Sequence, residues 1–165
     1  MSDSIARLVR AWFQAPISTF MATSDDSIIG QLTSNGEFDS TTAQVDAWRQ
    51  QIHLLKSWCE GIDGWVFLEF TIPRMGRRID AVVIFGPAVL VIEFKVGSSG
   101  FDGGAIEQVW DYALDLKNFH EASHSAQIVP ILVATEAQSS PIPVLEFAGD
   151  HVARPLLLHN EGMRP

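Results

Sequence analysis

Three long apolar runs follow one another between Trp65 and Gly97. Runs that are apolar at successive positions are typical of strands buried on both faces of a sheet. Turn residues separate the runs at Arg74-Met75 and at Gly86-Pro87. Two tight turns between three apolar runs predict a three-strand antiparallel meander.

The two turns also set the register of the meander. They bring Glu69 opposite Asp80, and Asp80 opposite Glu93. Lys95 shares the face of Glu93, because side chains alternate faces along a strand. Like charges on opposed residues destabilise a strand pair, and charged groups are rarely buried without partners. The alternative is a solvated sheet face. The strands are apolar on both faces, which indicates that the charged residues within them are buried and need partners. The pattern therefore favours a bound cation over a solvated face.

Helical periodicity and one further apolar run flank the meander. The expected elements are helices over residues 4–15, 41–60 and 104–121, and strands at 27–31, Gln127–Thr135 and 151–159. A strand, a helix and a strand in succession imply a right-handed crossover with parallel pairing. We therefore predict an α/β fold in a single domain. Its N-terminal helical region spans residues 1–62 and packs on a core that spans residues 63–165.

Composition narrows the class of protein. The chain has 165 residues, of which 47% are hydrophobic and 19% charged, as expected for one globular domain. A single cysteine, Cys59, excludes an internal disulfide and fits the reducing cytoplasm. There is no signal-peptide pattern and no run of about 18 apolar residues, so we expect no membrane association.

The net charge of −9 bears on partners. Because nucleic-acid affinity comes largely from neutralising phosphates, an acidic domain is expected to bind DNA weakly without a partner. The local basic cluster, Arg74, Arg77 and Arg78, lies beside the expected carboxylates. Arg77 and Arg78 are therefore candidate nucleic-acid contacts, and a solubilising hairpin tip is the alternative.

The order of elements, with Asp80 followed by Glu93-Phe94-Lys95, resembles the core of the PD-(D/E)xK nuclease superfamily. Gln108 and Tyr112 in the next helix resemble the QxxxY motif of its RecB-like branch, and their spacing gives them a common helical face. The chain also resembles the N-terminal region of a family of bacterial helicase-like ATPases of unknown function. That second resemblance rests on IPRMGRRIDAVV, LVIEFKVG, QVWDYALDLKNFHEASH and IVPILVATEA. No GxxxxGK[ST] phosphate loop is present.

The resemblance implies a restriction-endonuclease-like core that cleaves phosphodiester bonds, in DNA more readily than in RNA, beside a helicase or ATPase partner. Its ligands would be the Asp80 and Glu93 carboxylates and the Phe94 carbonyl, which suit Mg²⁺ or Mn²⁺. The ion would lower the pKa of a bound water and stabilise charge on the phosphate. Lys95 would orient or deprotonate that water, or stabilise the transition state.

Further residues complete the expected site. Gln108 and Tyr112 are candidate phosphate or DNA contacts, with helix-to-sheet packing as the alternative. The RecB-like branch carries a histidine upstream of the aspartate, for which His53 is a candidate. We favour Glu69 as the upstream residue, because the register sets it opposite Asp80.

A rival motif follows the last predicted helix. His120, Glu121 and His124 form a literal HExxH, the zinc-protease signature, with Glu146 or His151 as a third ligand. Because the motif lies where the helix is expected to end, its histidines also suit the negative end of the helix dipole. A catalytically silent module that binds nucleic acid or docks a partner is a further alternative. The sequence leaves the oligomeric state open.

Overall fold

A computed structural model describes residues 10–72 and 75–161. In these residues four α-helices flank one six-stranded sheet. The helices are α1 (Ile17–Ala22), α2 (Asp25–Asn35), α3 (Thr42–Cys59) and α4 (Gly103–Phe119). The strands are β1 (Ala11–Pro16), β2 (Trp65–Thr71), β3 (Arg78–Phe85), β4 (Ala88–Lys95), β5 (Gln127–Ala134) and β6 (Leu156–His159). No helix in the described ranges is long and apolar enough to cross a membrane.

The strands lie in the sheet in the same order as in the chain. β1 to β4 pair antiparallel, whereas β5 pairs parallel with β4, and β6 pairs parallel with β5. α4 makes the crossover between β4 and β5. The predicted meander and its parallel fourth strand are therefore confirmed, within a mixed α/β fold.

The register of the meander matches the one predicted from its turns. The paired positions of β2 and β3 set Glu69 level with Asp80. Those of β3 and β4, continued by one position, set Asp80 level with Glu93. At the turn between β2 and β3, the Ile72 N–H donates to the Arg77 carbonyl at 2.8 Å, as the hairpin requires.

The two faces of the sheet carry separate cores. On the α3 face, α1, α2 and α3 share with the strands a core that includes Phe20, Leu32, Ile52, Leu55, Leu68 and Val83. On the α4 face, α4 packs on β4 and β5, with a core that includes Val89, Val91, Val109, Leu116 and Leu132. Each face of the sheet is thus covered by helices and has its own apolar core.

β1 corrects one prediction. It occupies the end of the helix expected over residues 4–15, and residues 4–9 lie outside the described part of the chain. Alternate positions from Ala11 to Ala15 are buried, which is the two-residue period of a strand. The helix is therefore wrong for this segment, which adds a strand from the N-terminal region to the sheet.

α2 corrects a second prediction. The strand expected at 27–31 lies inside this helix, and the Ser24 side chain accepts a hydrogen bond from the Ser27 N–H at 3.2 Å at its N-terminus. A serine in this position satisfies a helical N–H that would otherwise have no partner. The other expected helices are confirmed as α3 and α4, and the last expected strand is confirmed over Leu156–His159.

Candidate functional site

The backbone ladder between β3 and β4 stops where the two carboxylates lie. Its last paired positions are Ala81 and Ile92. Beyond them, the Asp80 N–H donates to Glu93 Oε1 at 3.0 Å, and the Phe94 N–H donates to Asp80 Oδ2 at 2.9 Å. Carboxylate oxygens thus accept the hydrogen bonds that main-chain carbonyls accept elsewhere in the ladder. The predicted juxtaposition of Asp80 and Glu93 is confirmed.

Burial is the main influence on the protonation of this pair. It raises the pKa of Asp80 to about 7 and the pKa of Glu93 to about 8, and repulsion by Asp80 is the second cause for Glu93. The hydrogen bond from Phe94 partly offsets the rise of the Asp80 pKa, and the Lys95 ammonium lowers the pKa of both groups. Near neutral pH the pair therefore retains protons that a bound cation would displace.

The main chain of Phe94 adds a third oxygen. In an antiparallel pair, the N–H and C=O of one residue face the same neighbouring strand. Because the Phe94 N–H donates to Asp80, the Phe94 carbonyl also faces β3. The Lys95 carbonyl faces the opposite way and accepts from the Thr135 N–H at 3.3 Å.

These oxygens fit a hard divalent cation, since Mg²⁺ and Mn²⁺ favour carboxylate and carbonyl ligands. Asp80 and Glu93 would supply the carboxylates, and Phe94 the carbonyl. Among the described residues, no three Asp, Glu, His or Cys side chains are grouped as ligands. The chain therefore offers a partial ligand set, and Mg²⁺ usually keeps several waters or substrate oxygens.

Lys95 lies at the end of a hydrogen-bonded row on the α4 face. Its Nζ donates to Gln108 Oε1 at 3.0 Å, and Gln108 Nε2 donates to the Tyr112 hydroxyl at 2.8 Å. Burial and then the Glu93 charge raise the pKa of Tyr112. Lys95, Gln108 and Tyr112 therefore lie together, and Gln108 holds the lysine with its amide oxygen and the tyrosine with its amide nitrogen.

Glu69 departs from the predicted arrangement. Its φ of 51° is a value that residues other than glycine seldom adopt, and its side chain turns towards α3. The Trp48 indole N–H donates to Oε1 at 3.0 Å, and Arg78 Nε donates to Oε2 at 3.2 Å. The expectation that three carboxylates share one sheet face is therefore wrong for Glu69. Its charge still raises the pKa of Asp80, so it lies within electrostatic range of the pair.

Trp48 is a site residue that sequence reasoning missed. Its helical spacing in α3 assigns it to the core, and it is 3% exposed. One rule could have pointed to its role, because the N–H of a buried indole usually finds an acceptor and an acidic strand residue needs a donor. Trp48 also packs edge-on against Trp12, over whose ring the Arg78 guanidinium lies at 4.4 Å.

The two predicted arginine contacts are both engaged by carboxylates. Arg78 binds Glu69, and Arg77 Nη1 lies 3.9 Å from Asp115 Oδ2. That oxygen is buried without a hydrogen bond. Burial raises the pKa of Asp115, and Arg77 lowers it. Arg74, the third member of the basic cluster, lies outside the described residues.

His53 does not join the site. It is exposed on α3 and lines an open cavity with Asp46, Arg49 and Glu136. Glu69 stands level with Asp80 in the register, but its carboxylate is held by Trp48 and Arg78.

The HExxH residues do not form a zinc-protease helix. α4 ends at Phe119, and Glu121–Ser123 form a separate 3-10 turn, so the two histidines are not on one helical face. His120 Nδ1 is hydrogen-bonded with Ser123 Oγ at 2.7 Å. Glu146, a proposed third ligand, lies 3.8 Å from Arg154. The motif is thus a helix end followed by a tight turn.

Two cavities lie near the site on opposite faces of the sheet, and neither is lined by Asp80 or Glu93. The larger, of about 740 Å³, opens beside Phe94, Lys95 and Gln108, and the glycine-rich loop before α4 forms its other wall. The smaller, of about 200 Å³, lies beside Glu69 and Arg78 on the α3 face.

No protein-family model matches the chain, and no curated protein or solved structure matches it. The geometry around Asp80 and Glu93 is therefore the basis on which a function can be proposed.

Proposed function

We propose that this chain is a divalent-metal-dependent nuclease domain that hydrolyses phosphodiester bonds, in DNA more readily than in RNA. One observation carries the proposal. Beyond the last paired positions of β3 and β4, the Glu93 carboxylate accepts from the Asp80 N–H and the Asp80 carboxylate accepts from the Phe94 N–H, with the Lys95 ammonium on the same face as Glu93.

The proposal gives each residue a task. The Asp80 and Glu93 carboxylates and the Phe94 carbonyl hold Mg²⁺ or Mn²⁺. When bound, the ion stabilises charge on the phosphate oxygens and lowers the pKa of a ligated water. Lys95 orients that water or stabilises the negative charge that develops on the phosphate. Gln108 and Tyr112 position Lys95 through the row of hydrogen bonds described above.

The order of elements supports a restriction-endonuclease-like core. Asp80 lies on the second strand of the meander, Glu93 and Lys95 on the third, and Gln108 on the crossover helix that leads to a parallel strand. This is the arrangement that the resemblance to the PD-(D/E)xK superfamily implies.

The acidic charge of the chain supports a role for a partner in nucleic-acid binding. With a net charge of −9, the domain gains little from general phosphate attraction. We therefore propose that a helicase or ATPase partner delivers the nucleic acid.

The test is cleavage of supercoiled plasmid and of single-stranded DNA at low ionic strength, with Mg²⁺ or Mn²⁺ and with chelator. We expect metal-dependent cleavage that is lost in both Asp80→Asn and Lys95→Ala. Lys95→Ala should still bind Mn²⁺, because an ammonium is not a ligand. Asp111→Asn, an exposed aspartate on α4, is the matched control and should cleave like the wild type.

Two outcomes would contradict the proposal. Cleavage by Asp80→Asn at the wild-type rate would remove the carboxylate pair from the reaction. Nucleic-acid binding without cleavage in any divalent metal would favour the silent module. Glu121→Gln, which would inactivate an HExxH protease, should leave nuclease activity unchanged.

A further inference from the structure

Three of the residues that line the smaller cavity beside Glu69 are aromatic. Trp12, Trp48 and Phe38 line it. Phe38 is 85% exposed on the loop between α2 and α3, so its ring is free to stack on a ligand. The volume of about 200 Å³ leaves room for one heterocyclic ring system.

An aromatic cavity with carboxylates can also bind a cationic ligand, but in this cavity a side chain of the protein provides a cation. The Arg78 guanidinium already lies over the Trp12 ring and donates to Glu69. A guanidinium plane and an indole ring both offer stacking surfaces to a nucleobase. Ser40 and Gln44 at the rim can pair with the polar edge of a base. These groups therefore suit a planar, uncharged ring better than an ammonium group.

Two further residues at the rim favour bases that carry an amino group. Glu37 and Asp39 are exposed carboxylates at the mouth of the cavity. They accept hydrogen bonds, and adenine, cytosine and guanine each carry an exocyclic amino group that can donate one, whereas thymine does not.

The cavity is linked to the candidate metal centre through Glu69. Glu69 lines it and stands level with Asp80, while the larger cavity opens beside Lys95 across the sheet. We infer that the small cavity binds one unpaired nucleobase of a single-stranded substrate whose phosphate lies at the carboxylates. This inference rests on the proposed nuclease function and names its substrate class.

A preference for single-stranded substrate follows from the geometry of stacking. A base within a duplex is covered by its neighbours on both faces, so it reaches the cavity only after flipping out, at a cost of a few kcal/mol. In a single strand each base has an accessible face. The site should therefore favour unpaired nucleotides even where duplex and single strand carry the same sequence.

The experiment measures binding without cleavage. A short single-stranded DNA with one 2-aminopurine is titrated with the protein in chelator at low ionic strength, and stacking is read as loss of 2-aminopurine fluorescence. We expect Phe38→Ala to bind about 5- to 150-fold more weakly and to lose the fluorescence change, the range for one base–aromatic stack. Phe119→Ala, at the exposed end of α4, is the matched control and should behave like the wild type.

Three results would overturn the inference. These are equal binding by Phe38→Ala and the wild type, equal wild-type affinity for the duplex and the single strand, and binding of an arginine-rich peptide, in place of DNA, that requires Phe38. The cleavage assay separates this inference from the nuclease proposal. Asp80-dependent cleavage without a Phe38 effect overturns the base site alone. Phe38-dependent binding without cleavage in any metal supports the base site and overturns the nuclease.

Discussion

At the scale of single residues, Asp80 combines a favourable hydrogen bond with an unfavourable charge. Its Oδ2 accepts from the Phe94 N–H, while burial and the Glu69 charge oppose ionisation. An asparagine oxygen can accept the same hydrogen bond without the charge. We expect Asp80→Asn to raise the free energy of unfolding in chelator at pH 8 by about 1–2 kcal/mol, as measured by urea denaturation. A lower free energy of unfolding would mean that the charge itself stabilises the fold.

The raised pKa values of Asp80 and Glu93 also predict a pH dependence. A carboxyl group whose pKa is higher in the folded state stabilises that state below its unfolded pKa, and the stabilisation is lost as pH rises through the folded pKa. With folded pKa values of about 7 and about 8, the wild type in chelator should lose stability between about pH 4 and pH 8. Asp80→Asn should reduce that loss, and a wild-type stability that is flat over this interval would contradict the prediction.

Trp48 stabilises Glu69 through the hydrogen bond from its indole N–H. Phenylalanine keeps much of the ring but leaves Glu69 Oε1 without its indole donor. We expect Trp48→Phe to lower the free energy of unfolding by about 2 kcal/mol, measured in chelator, because a buried acceptor loses its partner. Trp110→Phe changes a ring that is 40% exposed on α4 and should stay within about 0.5 kcal/mol of the wild type. Equal effects of both variants would make the contact energetically neutral.

At the scale of elements, the meander was predictable and β1 was not. Two tight turns set the meander register, and with it the meeting of Asp80 and Glu93. β1 is six residues long and two of its buried positions are alanine, so its two-residue period is weak beside the helical spacing of the apolar residues before it. The turn of Glu69 towards α3 was equally hidden, because a positive φ outside glycine depends on tertiary contacts, here with Trp48 and Arg78.

The connection from α3 to β2 depends on a glycine at one position. A Cβ on Gly64 would overlap the Ile84 carbonyl oxygen of the neighbouring strand, whereas a Cβ on Gly61 would meet open space. We expect Gly64→Ala to lower the free energy of unfolding by about 3 kcal/mol or more, since backbone atoms must shift. Gly61→Ala is the matched control and should cost about 1–2 kcal/mol for its positive φ alone. Thermal denaturation of both variants distinguishes overlap from backbone strain.

At the scale of the whole molecule, ion pairs within the chain neutralise much of the positive charge of the described residues. Five of the arginines and lysines in the described ranges are paired with carboxylates, among them Arg77 and Arg78. Within the described ranges, few cations are then left to contact phosphates. We expect the logarithm of the single-strand binding constant to fall with the logarithm of salt concentration with a slope of about −1.5 or shallower, as for one or two phosphates. A slope steeper than about −3 would mean that four or more phosphates are contacted.

The strand order β1 to β6 bears on how the chain folds during synthesis. Each strand pairs with the one made immediately before it, so a strand that leaves the ribosome meets a partner that has already emerged. The widest separation, between β1 and β2, is bridged by three helices that can form locally in the meantime. Translation can therefore assemble this sheet from one edge to the other without a finished pair having to open for a later strand.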